Sequence, residues 1–337
     1  MTKGTKIFRV TVCVLLGLII LWGGFMTLVG VFFAKTYIHS EDYGIWVTGV
    51  SVTRDNEDDI LGDGTVSYNA STNTLTFKNA LIESDHAIVG SEIDLRIKLE
   101  GENKFICKDA EYMPAIYAAD SYLNKDLSFE GDGSLTIEFR NIGVSMQGIL
   151  AASVTIGSDL TLIMGDCESI SNGIVCDSSL ILADNATVTV QGGAATHSGA
   201  VRVRGNAYLE EGTALNISVK SGSVESSKGL SINGDLILGK NTDLTVTCDD
   251  ETAAVSECVR VTGFMDAEAG AKVTASAKKT PAIECYGSME LNRNAVVTAN
   301  TAAEGADVLC YGAVVNLGAT VEAEIDALGG IHSKANE

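Results

Sequence analysis

Residue types that most often carry catalysis or hold cofactors are scarce in this sequence. Aromatic residues make up 6% of its 337 residues, and its four histidines are scattered along the chain (His39, His86, His197 and His332). The motifs C-x-x-C, G-x-S-x-G and H-E-x-x-H do not occur, and no glycine-rich phosphate loop precedes a helical segment. The sequence therefore excludes the commonest thiol-redox, hydrolase, zinc-protease and nucleotide-binding chemistries.

Basic residues and prolines are also few. The chain has 23 Lys and Arg against 44 Asp and Glu, a formal net charge of −21. An acidic surface repels a phosphate backbone, so the sequence predicts no nucleic-acid partner. There are 2 prolines but 35 glycines, and apolar residues make up 46% of the chain. This composition favours a folded chain with a sizeable core over a disordered one.

A long uncharged run predicts a transmembrane helix at residues 10–34. As a helix these 25 residues would span about 38 Å, enough to cross a hydrocarbon core of about 30 Å. A cleaved signal peptide is the alternative, but its apolar region is usually only about 7–15 residues long. The run also ends in Val31-Phe32-Phe33-Ala34, a poor context for cleavage.

Charge on either side of this run predicts its orientation. Lys3, Lys6 and Arg9 precede it, whereas Lys35 alone follows it closely. The positive-inside rule then predicts a cytoplasmic stub at residues 1–9 and a single-pass anchor in the cell membrane, with the C-terminal part outside. The part after residue 35 carries 19 basic and 44 acidic residues, a net charge of −25.

A pattern of short strands recurs through the rest of the chain. Each copy has a small or apolar pair, a short alternating strand, a turn with Gly, Asn or Asp, and a second strand rich in Val, Ile, Leu and Thr. An apolar anchor begins each copy at a spacing of about 28 residues, within the range of solenoid repeats. The predicted anchors are Ile88, Ile116, Ile149, Ile174, Val201, Leu230, Val259, Ile283 and Leu309.

This repeat predicts the fold. Alternation places one side of each strand against a core, and each copy is too small to bury that side alone. The sequence therefore predicts an all-β protein, a right-handed parallel β-helix of about nine coils, preceded by the one transmembrane helix. A β-sandwich of hairpins remains the alternative, while the frame of leucine-rich repeats is missing.

The predicted domains follow from this assignment. A linker is expected at 35–44, an N-terminal β cap at 45–84, the parallel β-helix at 85–327 and a C-terminal tail at 328–337. The cap is expected because the end of a solenoid exposes unpaired strand edges. Within the cap, Trp46 to Val52 is expected to form one strand.

The cap also carries a resemblance. The segments Trp46–Thr53, Asp59–Tyr68 and Thr72–Ala80 resemble the opening of a group of secreted and surface proteins of clostridia-type bacteria. Those proteins continue as glycine-rich parallel β-helices, with pectate-lyase-like solenoid repeats, and are often labelled carbohydrate-binding. The resemblance implies a surface location and contact with glycans, and it carries no catalytic residues to transfer.

Alignment of the anchors places Arg202, Ser231, Arg260 and Glu284 in one outward column, with Tyr117 also facing outward. We regard Tyr117, Arg202, Arg260 and Glu284 as candidate ligand-binding residues, because stacked Arg and acidic side chains can hold an acidic sugar or remove its α-proton. The alternative is that Arg260 and Glu284 form only a surface ladder pair and that Tyr117 packs at the rim.

Two acidic clusters are candidate cation sites. Asp58, Asp59 and Asp63 are the candidate ligands of a calcium ion, which takes about six to eight oxygens from flexible loops, and no other cofactor is predicted. Asp249–Glu251 forms the second cluster. Neither matches the D-x-[DN]-x-[DN]-G frame, so a role in turns is the alternative.

Seven of the eight cysteines follow the apolar run, so they cannot all pair within the chain. Cys248 with Cys258, or Cys167 with Cys176, could close a disulfide, but small buried thiols stacked in the core are the favoured interpretation. Cys285 and Cys310 are expected one position out of column, so that their side chains diverge.

These observations predict a membrane-anchored, extracytoplasmic β-helix protein. Its expected role is non-catalytic: a surface module that binds cell-wall or host glycans, or that serves adhesion or a scaffold. The alternative is a polysaccharide lyase or glycoside hydrolase on the same fold, acting on acidic polysaccharide, although the sequence offers no convincing cluster of catalytic carboxylates.

Overall fold

The computed structural model describes residues 42–120, 123–220, 222–302 and 304–333. The chain divides into two compact units, and the second of them, Tyr43–Val52 with Asn56–Glu337, holds the fold described below. The predicted stub, the transmembrane helix and most of the linker lie outside the described residues. Within the part that is described, no helix is long and apolar enough to span a membrane.

The described residues form short β-strands. In chain order they are β1 (Asp42–Val47), β2 (Val50–Thr53), β3 (Val66–Asn69), β4 (Thr74–Lys78), β5 (Leu81–Ser84), β6 (Val89–Ser91), β7 (Leu95–Glu100), β8 (Glu102–Lys108), β9 (Tyr112–Ala118), β10 (Leu127–Glu130), β11 (Ser134–Arg140), β12 (Ser145–Ala151), β13 (Val154–Ile156), β14 (Asp159–Ile163), β15 (Ile170–Cys176), β16 (Leu180–Leu182) and β17 (Thr187–Gly192). They continue as β18 (His197–Val203), β19 (Ala207–Leu209), β20 (Ala214–Val219), β21 (Ser226–Ile232), β22 (Leu236–Leu238), β23 (Asp243–Cys248), β24 (Val255–Val261), β25 (Met265–Ala267), β26 (Lys272–Ala277), β27 (Ile283–Cys285), β28 (Met289–Leu291), β29 (Val296–Thr301), β30 (Val308–Cys310), β31 (Val314–Asn316), β32 (Thr320–Glu322), β33 (Ile325–Ala327) and β34 (Ile331–Ser333).

Three sheets run the length of the fold. From β5 onward, successive strands of the chain enter sheets C, A and B in turn, so each sheet contains every third strand. Sheet A has the order β2-β1-β6-β9-β12-β15-β18-β21-β24-β27-β30-β33, sheet B the order β3-β4-β7-β10-β13-β16-β19-β22-β25-β28-β31-β34, and sheet C the order β32-β29-β26-β23-β20-β17-β14-β11-β8-β5. Successive turns pair in parallel. This is an all-β parallel β-helix of about nine turns, as predicted, and not a sandwich of hairpins.

Alternation along each strand builds the core. In β20, Leu215, Ile217 and Val219 are buried and the residues between them face outward. The ladder stacks Leu215 between Val188 of the preceding turn and Leu244 of the following turn. Burying each such side chain contributes about 1.5–3 kcal/mol, so the stacked columns of Val, Ile and Leu hold the turns together.

The strands of sheet A interrupt this alternation with two adjacent inward residues, a small one followed by a larger apolar one. In β15 these are Gly173 and Ile174, and both are buried. A Cβ at Gly173 would lie 2.4 Å from the carbonyl oxygen of Ala200 on the next turn, so the close approach of the two backbones requires glycine here. The larger residue of each pair is the predicted anchor.

The strand register confirms most of these anchors. Seven of them pair in one continuous ladder: Ile116, Ile149, Ile174, Val201, Leu230, Val259 and Ile283. The two end anchors were wrong by one residue, because the ladder continues to Val89 rather than Ile88 and to Val308 rather than Leu309. At the N-terminal end, Ile88 and Val89 are both apolar and fully buried, so either fits the anchor pattern. At the C-terminal end, Asp307 occupies the position before the anchor where the turns between the two ends have a small residue.

Because the anchor near the C-terminal end is Val308 and not Leu309, the expected alignment of two cysteines also changes. Cys285 and Cys310 pair directly in the register of β27 and β30, so the expectation that their side chains diverge was wrong. All seven cysteines in the described part of the chain are free thiols, as the favoured interpretation had it, including the two pairs that could have closed a disulfide. Burial raises the pKa of the Cys107 thiol to about 12, as expected for a thiol that only fills space.

The first strands close the N-terminal end of the sheets. Trp46 to Val52 is not one strand but two, because Thr48 and Gly49, with φ of 50° and 79°, form a tight turn between β1 and β2. Strand β1 pairs antiparallel with β6, and β3 forms a hairpin with β4. The parallel ladders extend beyond residues 85–327, since β4 and β5 precede that range and β34 follows it.

A ladder of glycines lines the corner between sheets A and B. From the second glycine onward, each N–H donates to the carbonyl of the glycine one turn earlier, at 2.8–3.1 Å. A Cβ at Gly287 would lie 2.4 Å from the carbonyl oxygen of Gly263, so this corner has no room for side chains. The ladder consists of Gly205, Gly234, Gly263, Gly287, Gly312 and Gly329.

Candidate functional site

The outer face of sheet A carries the residues that the sequence analysis placed in one column. Arg202 pairs in register with Ser231, Ser231 with Arg260, and Arg260 with Glu284. We call these four residues the charged column. Their turns follow one another at about 4.8 Å, so Arg202 and Arg260 lie about 10 Å apart along the backbone ladder, with a serine between them.

A depression of about 480 Å³ lies beside the charged column. Gly199 contributes no side chain to it and Ser231 is only 7% exposed, so the surface is low at this point. Longer polar side chains stand around it: His197, Arg202, Lys228 and Arg260 carry or can carry positive charge, and Asn172 and Asn233 offer amides. On a chain of net charge −21, this is a local concentration of cations.

Carboxylates engage most of these cations. Lys228 Nζ lies 2.9 Å from Glu257 Oε2, and Arg260 Nε lies 3.9 Å from Glu257 Oε1. His197 Nε2 lies 3.3 Å from Glu225 Oε2. Lys228 and Arg260 thus share the carboxylate of Glu257, and the carboxylate of Glu284 also interacts electrostatically with Arg260.

Arg202 differs from its neighbours. Its side chain is exposed and, among the described residues, it lies in no ion pair. The arginine two residues later, Arg204, does have a partner, because its Nη1 lies 2.8 Å from Asp177 Oδ1. Arg202 therefore presents an uncompensated guanidinium at the edge of the depression, with hydrogen-bond donors in a planar fork that suits a carboxylate.

Tyr117 continues the same register three turns away. Leu150 and Val175 lie between it and Arg202 in the ladder. A Cβ at Gly90 would lie 2.6 Å from both Cζ and the hydroxyl oxygen of Tyr117, so the phenol end of the ring covers Gly90. The column thus has an aromatic and apolar part at one end and a charged part at the other, about 14 Å apart.

Sequence analysis missed a pair of tyrosines next to the charged column. The rings of Tyr286 and Tyr311 stack at 4.6 Å with an interplanar angle of 12°, and the guanidinium of Arg260 lies 5.1 Å from the centroid of Tyr286. Both faces of Tyr286 are therefore covered by neighbouring turns. This stack holds Arg260 in place rather than offering an open platform to a sugar.

Glu284 belongs to this stack. Its Oε1 lies 3.5 Å from the hydroxyl oxygen of Tyr311, whereas the ion pair of Arg260 is with Glu257 on its own strand. The sequence analysis had offered a surface ladder pair of Arg260 and Glu284 as the alternative to ligand binding, and the two residues do pair in the backbone register. The signal that could have located the tyrosines is their spacing, because each follows a strand of sheet A directly after a cysteine.

The first acidic cluster forms a turn. Asp59 Oδ1 accepts hydrogen bonds from the N–H groups of Gly62 and Gly64, at 3.0 and 2.9 Å. Asp63 Oδ1 accepts from both the N–H and the hydroxyl of Thr65, and Asp58 is exposed. No group of three or more metal-ligating side chains occurs in the described part of the chain. Calcium binding by Asp58, Asp59 and Asp63 stays a prediction from the sequence.

The second acidic cluster contains a buried carboxylate. Asp250 is fully buried and accepts hydrogen bonds from the N–H groups of Ser223, Thr252 and Ala253 and from the Thr252 hydroxyl, at 2.8–3.1 Å. Burial raises the pKa of its carboxyl, but these hydrogen bonds outweigh burial and lower the pKa to about 2. Asp250 therefore ties together the loops of two neighbouring turns.

Replacement of this carboxylate gives a prediction for stability. The folded pKa of Asp250 lies below its ordinary value of 3.8, so its contribution is complete above about pH 4 and is lost as the pH falls towards 2. Asp250→Asn is expected to lower the free energy of unfolding by about 2 kcal/mol at pH 7, with a smaller difference from wild type at pH 3. Chemical denaturation at the two pH values measures this.

Asp249→Asn is the matched control for this prediction, because Asp249 is exposed and precedes Asp250 directly. It should leave the free energy of unfolding within about 0.5 kcal/mol of wild type. An equal loss in both variants, or a loss in Asp250→Asn that does not depend on pH, would show that the buried hydrogen bonds are not the cause.

Comparison of the chain with known protein families, with curated proteins and with solved structures found no match.

Proposed function

We propose that the outer face of sheet A binds a segment of an acidic polysaccharide without cleaving it. The observation that carries the proposal is Arg202, an exposed guanidinium without an ion-pair partner in the described residues, beside a depression floored by Gly199 and Ser231. On a protein of net charge −21, such a cation attracts an anion locally, against the general repulsion of the surface.

The groups around the depression suit a uronic acid. The fork of Arg202 can donate two parallel hydrogen bonds to a carboxylate. Lys228, Ser231 and the amides of Asn172 and Asn233 offer donors and acceptors to ring hydroxyls. A sugar bound here would have its charged and neutral groups met by different side chains.

The repetition of the fold suits a polymer. Arg202 and Arg260 are two turns apart, about 10 Å, and Tyr117 lies three turns further along the same ladder, about 14 Å from Arg202. A chain lying along the axis would meet Arg260, then Arg202 and then the ring of Tyr117. A free monosaccharide could use only one of these positions.

The sequence supports the same function in two further ways. The N-terminal cap resembles the opening of bacterial surface proteins that are often labelled carbohydrate-binding. The predicted anchor at residues 10–34, with the N-terminus in the cytoplasm, would hold the β-helix outside the cell, where polysaccharides of a cell wall or a host are found. We include both in the proposal of a membrane-anchored surface module.

A glycan array probed with the full-length chain tests this function. We expect retention on uronate polymers and no retention on neutral glucans or mannans of similar length. Silence on all glycans would leave only a scaffold role. The lyase alternative is tested by incubating the protein with the retained polymer and following ultraviolet absorbance, because elimination forms an unsaturated product and simple binding does not.

A further inference from the structure

Cys285 and Cys310 lie side by side in the interior of two neighbouring turns. Each is the last residue of its strand, β27 and β30, and the two pair directly in the parallel ladder. Both side chains are fully buried. In-register residues of neighbouring parallel strands have Cα atoms about 4.8 Å apart, which is within the range of about 4.4–6.8 Å that disulfides span.

The two thiols occupy equivalent positions on successive turns. Cys310 Sγ lies 3.3 Å from the carbonyl oxygen of Gly287, two residues after Cys285 and one turn back from Cys310 itself. Cys285 Sγ likewise lies 3.6 Å from the carbonyl oxygen of Gly263, one turn back from Cys285. The two thiols therefore lie one directly after the other along the same corner, at the spacing of the turns.

The two thiols also interact with each other. Contact with Cys285 lowers the pKa of Cys310, although burial opposes this, and the same contact raises the pKa of Cys285. In thiol–disulfide exchange one thiolate attacks a small disulfide, and the second thiol then displaces the small thiol from the mixed disulfide, so the two cysteines have to lie next to each other.

We propose that Cys285 and Cys310 form a disulfide that cross-links two neighbouring turns of the β-helix. One S–S bond forms and two S–H bonds break, and the two protons and two electrons pass to a low-molecular-weight disulfide, which leaves as two thiols. The Cβ atoms have to approach by about 1 Å or less. The link ties β27 to β30 at the corner lined by the glycine ladder.

Cys248 and Cys258 are the competing pair. They are also buried and in contact, but Cys248 belongs to β23 of sheet C and Cys258 to β24 of sheet A. No strand ladder holds their Cα atoms at disulfide distance. Cys258 Sγ instead lies 3.2 Å from the carbonyl oxygen of Ser276 and 3.4 Å from that of Val246.

Tryptic mapping distinguishes the two pairs without any change to the protein. Arg293 separates Cys285 from Cys310, so their link joins two tryptic peptides, 280–293 and 294–334. Cys248 and Cys258 instead fall in one peptide, 241–260, which would lose two hydrogens without joining another. The two outcomes therefore give different masses.

The experiment uses the full-length chain, both folded and refolded from urea, in excess oxidised glutathione. Remaining thiols are blocked with N-ethylmaleimide before digestion without reductant. We expect the linked pair 280–293 with 294–334, its loss on treatment with dithiothreitol, and its complete absence in Cys285→Ser and Cys310→Ala. Cys107→Ser, which removes a buried thiol elsewhere, should retain the link.

Two results would overturn the proposal. One is that peptides 280–293 and 294–334 carry only N-ethylmaleimide or glutathione after both treatments. The other is that peptide 241–260 alone is oxidised, which would assign the disulfide to Cys248 and Cys258. Neither result bears on glycan binding, because the two cysteines face the core and the charged column faces outward.

Discussion

Arg202→Glu is expected to weaken the binding of an oligogalacturonate by about 10- to 100-fold. A hydrogen bond to a charged group contributes about 1.5–3 kcal/mol, and each 1.4 kcal/mol is a factor of ten in the dissociation constant. The substitution removes a guanidinium that forms no ion pair within the described residues and places a carboxylate beside the bound one. Titration of the full-length protein with a fluorescently labelled oligomer measures the change.

Arg96→Glu is the matched control for this experiment. Arg96 is also an exposed arginine in the middle of a strand, but it lies in β7 of sheet B. The substitution changes the net charge by the same amount, so it separates a local contact from the general repulsion between an acidic protein and an acidic ligand. Equal weakening by both variants would contradict a site on sheet A.

Gly287→Ala is expected to lower the free energy of unfolding by about 3 kcal/mol or more. The new Cβ would lie 2.4 Å from the carbonyl oxygen of Gly263 and 2.7 Å from its carbonyl carbon. These are backbone atoms, so no side chain can move aside, and the two turns have to separate. Because each turn contacts only its neighbours, the loss should appear first as early unfolding of the turns around β27.

Gly143→Ala provides the control for this substitution. The nearest atom to a Cβ at Gly143 is the Cα of Glu111, at 3.8 Å, and its φ lies outside the left-handed region. The substitution should therefore be neutral or slightly stabilising, since alanine restricts the unfolded chain. Thermal and urea denaturation of both variants measure the difference. Equal stability of the two would show that the corner glycines are not required by close packing.

The repeat could be predicted from sequence because it depends on short-range patterns. Strand alternation and a small residue before each anchor recur at regular spacing, and those two signals were enough to place Arg202, Ser231, Arg260 and Glu284 in one register. The same reasoning failed at the ends of the solenoid. There Ile88 competes with Val89, and Asp307 replaces the small residue, so the pattern alone could not choose the anchor.

The candidate site was predicted only in part. The outward direction of Arg202 follows from alternation, but its lack of an ion-pair partner in the described residues depends on which long side chains reach one another between turns. Glu257, for example, is engaged by Lys228 and Arg260, a choice that register alone does not fix. The stacking of Tyr286 on Tyr311 likewise depends on ring rotamers at a corner, which strand periodicity does not describe.

The affinity of the full-length protein for an oligogalacturonate of defined length, measured over a tenfold range of salt concentration, tests the central claim most directly. Binding through Arg202 and Arg260 to a polyanion should weaken by about tenfold or more over that range, because salt screens exposed charges and competes for the polymer. The dependence should be shallower in Arg202→Glu. Absence of binding at low salt, or an affinity that salt does not change, would contradict the claim.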